Sequence, residues 1–382
     1  MMLNDWTFWL EWAIKSLFVI FALLTGFAYL TWYERRALAR IQVRIGPNRA
    51  GPLGLLQPIA DAVKLIFKEE LTPGKADKVL FFWAPVITMV PSIIIAAVIP
   101  FGPDTVLFGR KISLAVANLN VGALYLTSIA SIAVYGIVLA GWSSNNKYAM
   151  LGGLRSSAQM ISYELSLGLM FVTAIILANS MNLQDIVNQQ KDMWFAVAQP
   201  VGALVFLIVT LAEVNRAPFD MPEAEQELTA GYHSEYSGMK FALFFMAEYQ
   251  KMIAISMIAA TLFFGGYREF WFLKDTFLSV DRFWWLGPIY MFLKVVVLLF
   301  FMIWIRATWP RIRYDRLMAF GWKVLLPLSL GIAFITATGI SLNVITGSNL
   351  YYWAIPVVSI IVGALTVVFI YRELRRKAYE RA

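Results

Sequence analysis

Long apolar runs recur along this chain, and they restrict its fold more than any other feature of the sequence. A helix of about 20 apolar residues crosses a hydrocarbon core of about 30 Å and satisfies its own backbone hydrogen bonds there. The sequence therefore predicts an all-α polytopic membrane protein, with one membrane domain over residues 1–382. We predict about nine transmembrane helices, at 13–33, 80–101, 119–141, 161–180, 196–213, 241–264, 285–306, 324–345 and 351–371.

Lys and Arg residues are distributed unevenly between the segments that connect these runs. If the N-terminus lies outside and the C-terminus in the cytoplasm, the cytoplasmic segments hold 23 of them and the outer segments six. The positive-inside rule therefore predicts this orientation, with the last span and the basic tail in 346–382 ending inside. The net charge of +8 is thus explained by topology and gives no reason to expect nucleic-acid binding.

The residue types that are missing limit the chemistry of the chain. It has no cysteine and one histidine, His233. Disulfides, thiolate metal sites and cysteine-ligated iron–sulfur clusters are thereby excluded, and a haem or zinc site is disfavoured. Neither a phosphate-binding glycine loop nor a dinucleotide-binding fingerprint is present. We expect no metal and no cofactor bound by this chain alone, so any redox centres belong to other chains.

The segment 213–240 concentrates acidic residues between the fifth and sixth predicted spans. Pro218 and Pro222 disfavour a continuing helix, so we predict an irregular cytoplasmic loop. Crowded carboxylates raise one another's pKa and share protons, which suits a proton-handling or redox-coupled site. An ordinary solvated loop is the simpler alternative. Within 213–236, six carboxylates stand against one full positive charge, Arg216: Glu213, Asp220, Glu223, Glu225, Glu227 and Glu235.

The segment 34–79 is a second polar region, a basic cytoplasmic loop after the first span. By the positive-inside rule, its arginines keep the loop on the cytoplasmic side. These arginines are Arg35, Arg36, Arg40, Arg44 and Arg49. A polar stripe follows at helical spacing, formed by Gln57, Asp61, Lys64 and Lys68. The opposite face is apolar, so we predict a short amphipathic helix that lies in the membrane interface or packs with its charges facing a cavity.

Several ionisable residues fall inside predicted spans. Charges in hydrocarbon are costly and usually face the protein interior or a wet path. Glu248 and Lys251 are i, i+3 neighbours, so the sequence suggests that they pair. Glu164 and Glu213 lie near span ends, where their side chains could instead reach towards the interface. With Lys294, these residues are candidates for proton handling.

Two long runs of residues resemble one known family. They are RIGPNRAGPLGLLQPIADAVKLIFKE, residues 44–69, and EVNRAPFDMPEAEQELTAGYHSEYSGMKFALFFMAEY, residues 213–249. Both resemble the H-type membrane subunits of proton-translocating NADH–quinone oxidoreductase, respiratory complex I, whose mitochondrial counterpart is NADH dehydrogenase subunit 1. The similarity extends from about 34 to 313, and the first span and last two spans match mainly in kind.

The resemblance implies a membrane subunit that forms much of a quinone chamber and couples quinone reduction to proton translocation in the cell's inner membrane. It implies partners: peripheral-arm quinone-site and iron–sulfur subunits, small membrane subunits and antiporter-like pumping subunits, with FMN and iron–sulfur clusters in partner chains. The chamber residues it implies are Arg35, Arg36, Arg44, Arg49, Asp61, Lys64, Lys68 and Arg216. The proton-coupling residues it implies are Glu164, Glu213, Asp220, Glu223, Glu225, Glu227, Glu248, Lys251 and Lys294. On that basis Glu223, Glu225 and Glu227 are expected to titrate as a coupled set.

Three other functions remain compatible with these residues. An ion-coupled secondary transporter would also place charges within spans, but it predicts an internal repeat that is not evident here. A structural anchor for a peripheral arm would explain the basic loops but not Glu248. The membrane subunit of an energy-converting hydrogenase shares the same membrane physics and differs in its electron partners. The intact quinone-loop residues favour the quinone enzyme.

Overall fold

The structure is a computed structural model that describes residues 6–107, 110–221, 231–274 and 276–379. It is almost entirely helical, with one two-stranded antiparallel hairpin of β1 (Thr105–Leu107) and β2 (Arg110–Ile112). In these ranges the α-helices are α1 (Trp6–Ile41), α2 (Gln57–Phe67), α3 (Lys78–Ile94), α4 (Gly122–Ser143), α5 (Lys147–Ala178), α6 (Leu183–Gln189), α7 (Phe195–Ala198), α8 (Pro200–Glu213), α9 (Gly238–Phe263), α10 (Leu286–Thr308), α11 (Tyr314–Phe320), α12 (Leu326–Thr346) and α13 (Leu350–Tyr379).

Eight helical segments of the described part are long and apolar enough to cross a membrane, which confirms the predicted all-helical membrane fold. They are Phe8–Ile41, Lys78–Val98, Gly122–Ser143, Lys147–Ala178, Gly238–Phe263, Leu286–Thr308, Tyr314–Thr346 and Leu350–Arg372. The second of them is α3 lengthened by a 3₁₀ turn, Ile95–Val98, and the seventh joins α11 to α12 through a π-helical turn, Gly321–Leu325.

The fifth predicted span, 196–213, is not confirmed as a full crossing. Its residues form α8, which has only 14 residues and is about 21 Å long, preceded by the separate α7. Pro200 explains the break, because a proline pushes the residue before it out of the α region. Gln199 has φ −140° and ψ 71°, and its side chain donates a 2.7 Å hydrogen bond to Thr336 Oγ1.

Two other helices extend further than the apolar runs predict. α1 continues to Ile41, so the first residues of the predicted basic loop are helical. Their sequence, ERRALAR, is rich in strong helix formers, which explains the extension. α5 begins at Lys147, fourteen residues before the predicted span, and the side chain of Asn146 caps it by accepting from Tyr148 N–H at 2.9 Å.

α5, α8 and α9 form the centre of the molecule, and their facing side chains are almost fully buried. α3 and α4 pack on one side of this centre, and α12 packs on α5 from the other. α1 and α13 lie at the periphery with large exposed apolar surfaces, as expected for helices that face lipid or partner helices. Polar side chains from the three central helices therefore meet inside the bundle.

Candidate functional site

Arg216 is the centre of the charged cluster, and it is 2% exposed. Its Nε lies 2.9 Å from Glu248 Oε1 and its Nη1 lies 3.4 Å from Glu34 Oε1. Arg306 also pairs with Glu34, and the Arg216 guanidinium stacks 4.3 Å from the centre of the Tyr249 ring. Burial alone would lower the pKa of Arg216, but the Glu248 and Glu34 carboxylates outweigh it and raise that pKa. The arginine is therefore a permanent buried cation held between two carboxylates.

The end of α8 directs Arg216 into the interior. Asn215 adopts the left-handed conformation with φ 54°, which asparagine accepts more readily than most residues. The Arg216 N–H then donates to Leu211 O at 3.2 Å, closing the helix in a Schellman-type turn. The sequence after α8 thus ends the helix and turns its next side chain towards α9.

Gln159 of α5 holds the same turn from the opposite side. Its Nε2 donates to Ala212 O and Phe219 O, both at 2.8 Å, and lies 3.2 Å from Asn215 Oδ1. Ile312 N–H also donates to Pro218 O at 3.0 Å. The segment from the end of α8 to Phe219 is therefore fixed by buried hydrogen bonds as well as by the ion pairs of Arg216.

We expect Gln159→Leu to lower the stability of the folded chain by about 1–3 kcal/mol, because buried acceptors lose their donor. The measurement is the midpoint temperature of thermal unfolding of the chain in solubilised membranes. Gln189→Leu, at an exposed position at the end of α6, is the matched control and should leave that midpoint unchanged. Equal midpoints for the two variants would contradict a clamping role for Gln159.

Glu213 and Lys251 form a second buried ion pair. Lys251 Nζ lies 2.7 Å from Glu213 Oε1, and Glu213 is 1% exposed. The suggested pairing of Glu248 with Lys251 is therefore wrong: Lys251 pairs with Glu213, whereas Glu248 pairs with Arg216. Glu248 and Lys251 both meet residues distant in sequence, so spacing along one helix did not identify their partners. Glu213 Oε2 is buried and has no hydrogen bond among the described residues.

Glu164 lies near the middle of α5 rather than near a span end, because α5 begins early. Its Oε1 accepts a hydrogen bond from Ser131 of α4.

Two small cavities connect the acids. The first, called here the inner cavity, is lined by Glu248 and Lys251, with Ser92, Asn215 and Tyr232 among its other polar side chains. The second is named the phenylalanine cavity because Phe171 and Phe206 line it. Its ionisable lining residues are Lys251, Glu213 and Glu164.

The residues predicted for the quinone chamber fall into an exposed group and a buried one. Arg35 Nη1 lies 2.7 Å from Asp61 Oδ2, and Lys64 lies 3.7 Å from the other oxygen of Asp61. Arg36 donates to Leu53 O at 3.1 Å, and Arg44 donates to Gln42. Arg49, Lys64 and Lys68 are exposed, and Lys68 ends α2 rather than extending its stripe. Arg216 is the buried member. Its partner Glu34 precedes Arg35 on α1, but Glu34 is buried and Arg35 is exposed, so the two side chains point to different faces of the helix.

Lys294 lies apart from the acids. Its amine donates to three backbone carbonyls just beyond the end of α9, Phe264 O at 2.6 Å, Gly266 O at 2.8 Å and Arg268 O at 2.6 Å. It also lies 4.5 Å from the centre of the Trp194 ring. The structure gives Lys294 the contacts of a cap on the C-terminal end of α9, where the helix dipole favours a cation.

Some predicted residues remain untested and some important ones were missed. Glu223, Glu225 and Glu227 lie outside the described residues, so their predicted coupling stays a prediction. Asp220 is described and is 9% exposed. Sequence reasoning missed Glu34 and Arg306, both at ends of predicted spans, where charges were explained by topology alone. Their ionisable side chains at the edge of apolar runs were the available signal.

Among the residues that the structure describes, no group of three or more His, Asp or Glu is arranged to hold a metal ion.

Comparison with known proteins identifies the family. The model of the NADH dehydrogenase family matches residues 14–337. The NADH-quinone oxidoreductase H subunit of Thermomicrobium roseum is 51% identical over 324 residues, which cover 82% of this chain and 91% of that relative. NADH-quinone oxidoreductase subunit 8 of Thermus thermophilus is 49% identical over 354 residues, which cover 92% and 93%. The chain belongs to the NADH dehydrogenase family.

Proposed function

We propose that this chain is a membrane subunit of a proton-pumping NADH–quinone oxidoreductase, forms much of its quinone-binding chamber, and couples quinone reduction to proton translocation. The family match and the names of the relatives support membership in the enzyme complex. One observation carries the coupling role. A series of ionisable side chains extends from the exposed basic loop into the middle of the bundle.

The series has three parts, and the two cavities connect the second part to the third. Asp61 and Arg35 stand at its exposed end. Glu34, Arg216 and Glu248 form its buried middle. The inner cavity joins Glu248 to the Lys251–Glu213 pair, and the phenylalanine cavity joins that pair to Glu164.

Reduction of a quinone to a quinol consumes protons as well as electrons, so charge near the headgroup changes during turnover. In this proposal the Asp61 and Arg35 pair borders the headgroup, and Arg216 pairs with Glu34 and Glu248 at rest. A change of charge at the headgroup alters the field on Glu248, and protons then redistribute between Glu248, Glu213 and Glu164 through water in the cavities. Such cavities can hold water because polar groups line them. The described acids are the groups that would gain and lose these protons.

The partners and the orientation belong to the same proposal. We propose that the N-terminus lies outside the cytoplasmic membrane and the C-terminus inside, as the distribution of Lys and Arg favours, which requires α7 and α8 together to complete a ninth crossing. The exposed loop between α1 and α3 then faces peripheral subunits that carry FMN and the iron–sulfur clusters. The absence of cysteine in this chain agrees with clusters held by other chains. Antiporter-like membrane subunits would receive the coupling signal, and α1 and α13 offer large apolar surfaces for neighbouring helices.

Membership in the complex can be tested with a native gel of mildly solubilised membranes that contain a tagged copy of this chain. Staining for NADH-dependent dye reduction should place the tag in a large NADH-oxidising band. A large band without NADH activity would favour a complex with another electron donor, such as a hydrogenase-type complex. A small band that holds this chain alone would contradict the proposal and favour a transporter.

We expect Arg35→Gln and Asp61→Asn to raise the KM for quinone about two- to tenfold, which corresponds to a loss of about 0.4–1.4 kcal/mol of binding. Each change removes one side of an ion pair that is at least partly exposed, so the effect on folding should be small. The measurement is NADH–quinone reductase activity against quinone concentration in membranes.

NADH-dependent dye reduction, which does not need the quinone chamber, should be unchanged in both variants. Arg40→Gln is the matched control, since Arg40 is an exposed arginine on the same helix, one turn beyond Arg36. An unaltered KM in both Arg35→Gln and Asp61→Asn would place quinone binding elsewhere on the chain.

A further inference from the structure

The phenylalanine cavity has a polar end and an apolar end. Three helices each contribute one ionisable residue to it: Glu164 from α5, Glu213 from α8 and Lys251 from α9. The same helices contribute Phe171, Phe206 and Ile258 to its lining. Each apolar residue is seven positions from the ionisable residue of its own helix. Seven residues are about two turns, so the two side chains share a face and lie about 10 Å apart along the axis.

The three apolar residues all lie on the same side of the charges. α8 ends at Glu213, so Phe206 is displaced from Glu213 towards the Pro200 end of α8. Ile258 is displaced from Lys251 towards the Phe263 end of α9. α7, which leads into α8, contacts α9, and Trp194 contacts Phe264 just beyond α9. The Pro200 end of α8 and the Phe263 end of α9 therefore form one face of the bundle.

Aromatic rings close this side of the cavity. Phe171 and Phe206 meet edge to face with 6.0 Å between ring centroids, and Phe206 and Phe263 are 5.2 Å apart. Phe206 and Phe263 are fully buried, and Phe171 is 4% exposed. The rings thus form an apolar layer between α5, α8 and α9, while α4 contributes Thr127 to the lining of the same cavity. Such a layer cannot hydrogen-bond water, and dry apolar cavities are stable in proteins.

Beyond this layer, two buried polar side chains bond to the backbone of the turn after α9, whereas Trp194 Nε1 and Gln199 Oε1 are buried without a hydrogen bond among the described residues. Gln190 is fully buried, and its side chain bonds to Thr261 O at 2.9 Å and to Gly265 N–H at 2.9 Å. The amine of Lys294 is occupied by three carbonyls of the same turn. These groups stabilise the turn, and their hydrogen bonds are directed at backbone atoms rather than at the rings.

We propose that Phe171, Phe206 and Phe263 form a water-excluding barrier that closes the cavity of Glu164, Glu213 and Lys251 on the Pro200 side of α8. This inference rests on the proposed proton-coupling function of those three residues. In the proposed orientation the barrier faces the outer side of the membrane. Protons that reach the acids then exchange with the cytoplasmic side or pass to neighbouring subunits, and they do not cross the membrane through this chain.

The test is passive proton permeability of membrane vesicles that contain the assembled complex, without NADH, after a potassium diffusion potential is imposed. A pH-sensitive dye reports proton entry. We expect Phe206→Ser and Phe263→Ser each to increase the rate of proton entry several-fold, because a small hydroxyl side chain replaces the ring and lets water into the layer. Phe334→Ser is the matched control, since Phe334 is 63% exposed on α12 and should leave the rate unchanged.

Assembly is checked first on a native gel, and two barrier variants on different helices allow for one that does not assemble. The barrier proposal would be overturned if protons entered vesicles with assembled Phe206→Ser or Phe263→Ser no faster than they enter Phe334→Ser vesicles. An equal increase in all three variants would also overturn it. If only the two barrier variants leak protons without NADH, the barrier is supported. If Glu213→Gln also pumps normally with NADH, the coupling role is removed, so the two proposals can fail separately.

Discussion

Arg216→Leu should prevent stable assembly of the complex or lower its stability by about 3–5 kcal/mol. The change removes the buried cation that lies 2.9 Å from Glu248 and 3.4 Å from Glu34, and it leaves both carboxylates without that charge. Removing one partner of a buried ion pair is costly because the remaining charge stays away from water. The measurement is the amount of assembled complex on a native gel and the midpoint of its thermal inactivation.

Two further variants separate charge from shape. Arg216→Lys keeps the charge but loses the planar guanidinium that reaches both acids and stacks on Tyr249, so an intermediate loss is expected. Arg216→Leu combined with Glu248→Gln should recover part of the stability, because one uncompensated carboxylate becomes neutral. Normal assembly and a normal midpoint for Arg216→Leu would mean that the cluster does not stabilise the fold.

The coarse fold could be predicted because membrane helices are defined by local composition. Eight of the nine predicted spans have counterparts in helices long enough to cross, and their boundaries follow the apolar runs closely at most ends. The exceptions have local causes. Pro200 shortens α8, and the cap at Asn146 starts α5 well before its apolar run begins. Both signals are present in the sequence, but hydropathy alone does not reveal them.

The partners of the charged residues could not be predicted in the same way. Glu248 and Lys251 are one turn apart on α9, yet each pairs with a residue near the end of α8. These pairings depend on where Asn215 ends α8 and on how Gln159 fixes the following turn. Glu34 falls in the predicted basic loop because the first predicted span ends at residue 33, although Glu34 is only 2% exposed. Local pattern identifies the charged residues, whereas packing between distant helices decides which of them meet.

The buried pair of Glu213 and Lys251 allows stability and proton transfer to be measured separately. Glu213→Gln alone and Lys251→Met alone each leave one partner without its opposite charge, so each should destabilise the complex by about 3–5 kcal/mol. The double variant removes both charges. It should recover much of the lost stability, because neither partner is left as an uncompensated buried charge.

Proton pumping should not recover with the stability. Glu213 is the acid that α8 contributes to the phenylalanine cavity, and its Oε2 is buried without a hydrogen bond among the described residues. Glutamine cannot accept and release a proton at that atom. The number of protons pumped per NADH oxidised should therefore fall about tenfold or more in the double variant, as expected when a proton-transfer group is lost. Pumping is measured with a pH-sensitive dye in vesicles and divided by the rate of NADH oxidation. If the double variant is stable and pumps at the normal ratio, the pair is structural, and protons must pass between Glu248 and Glu164 without Glu213.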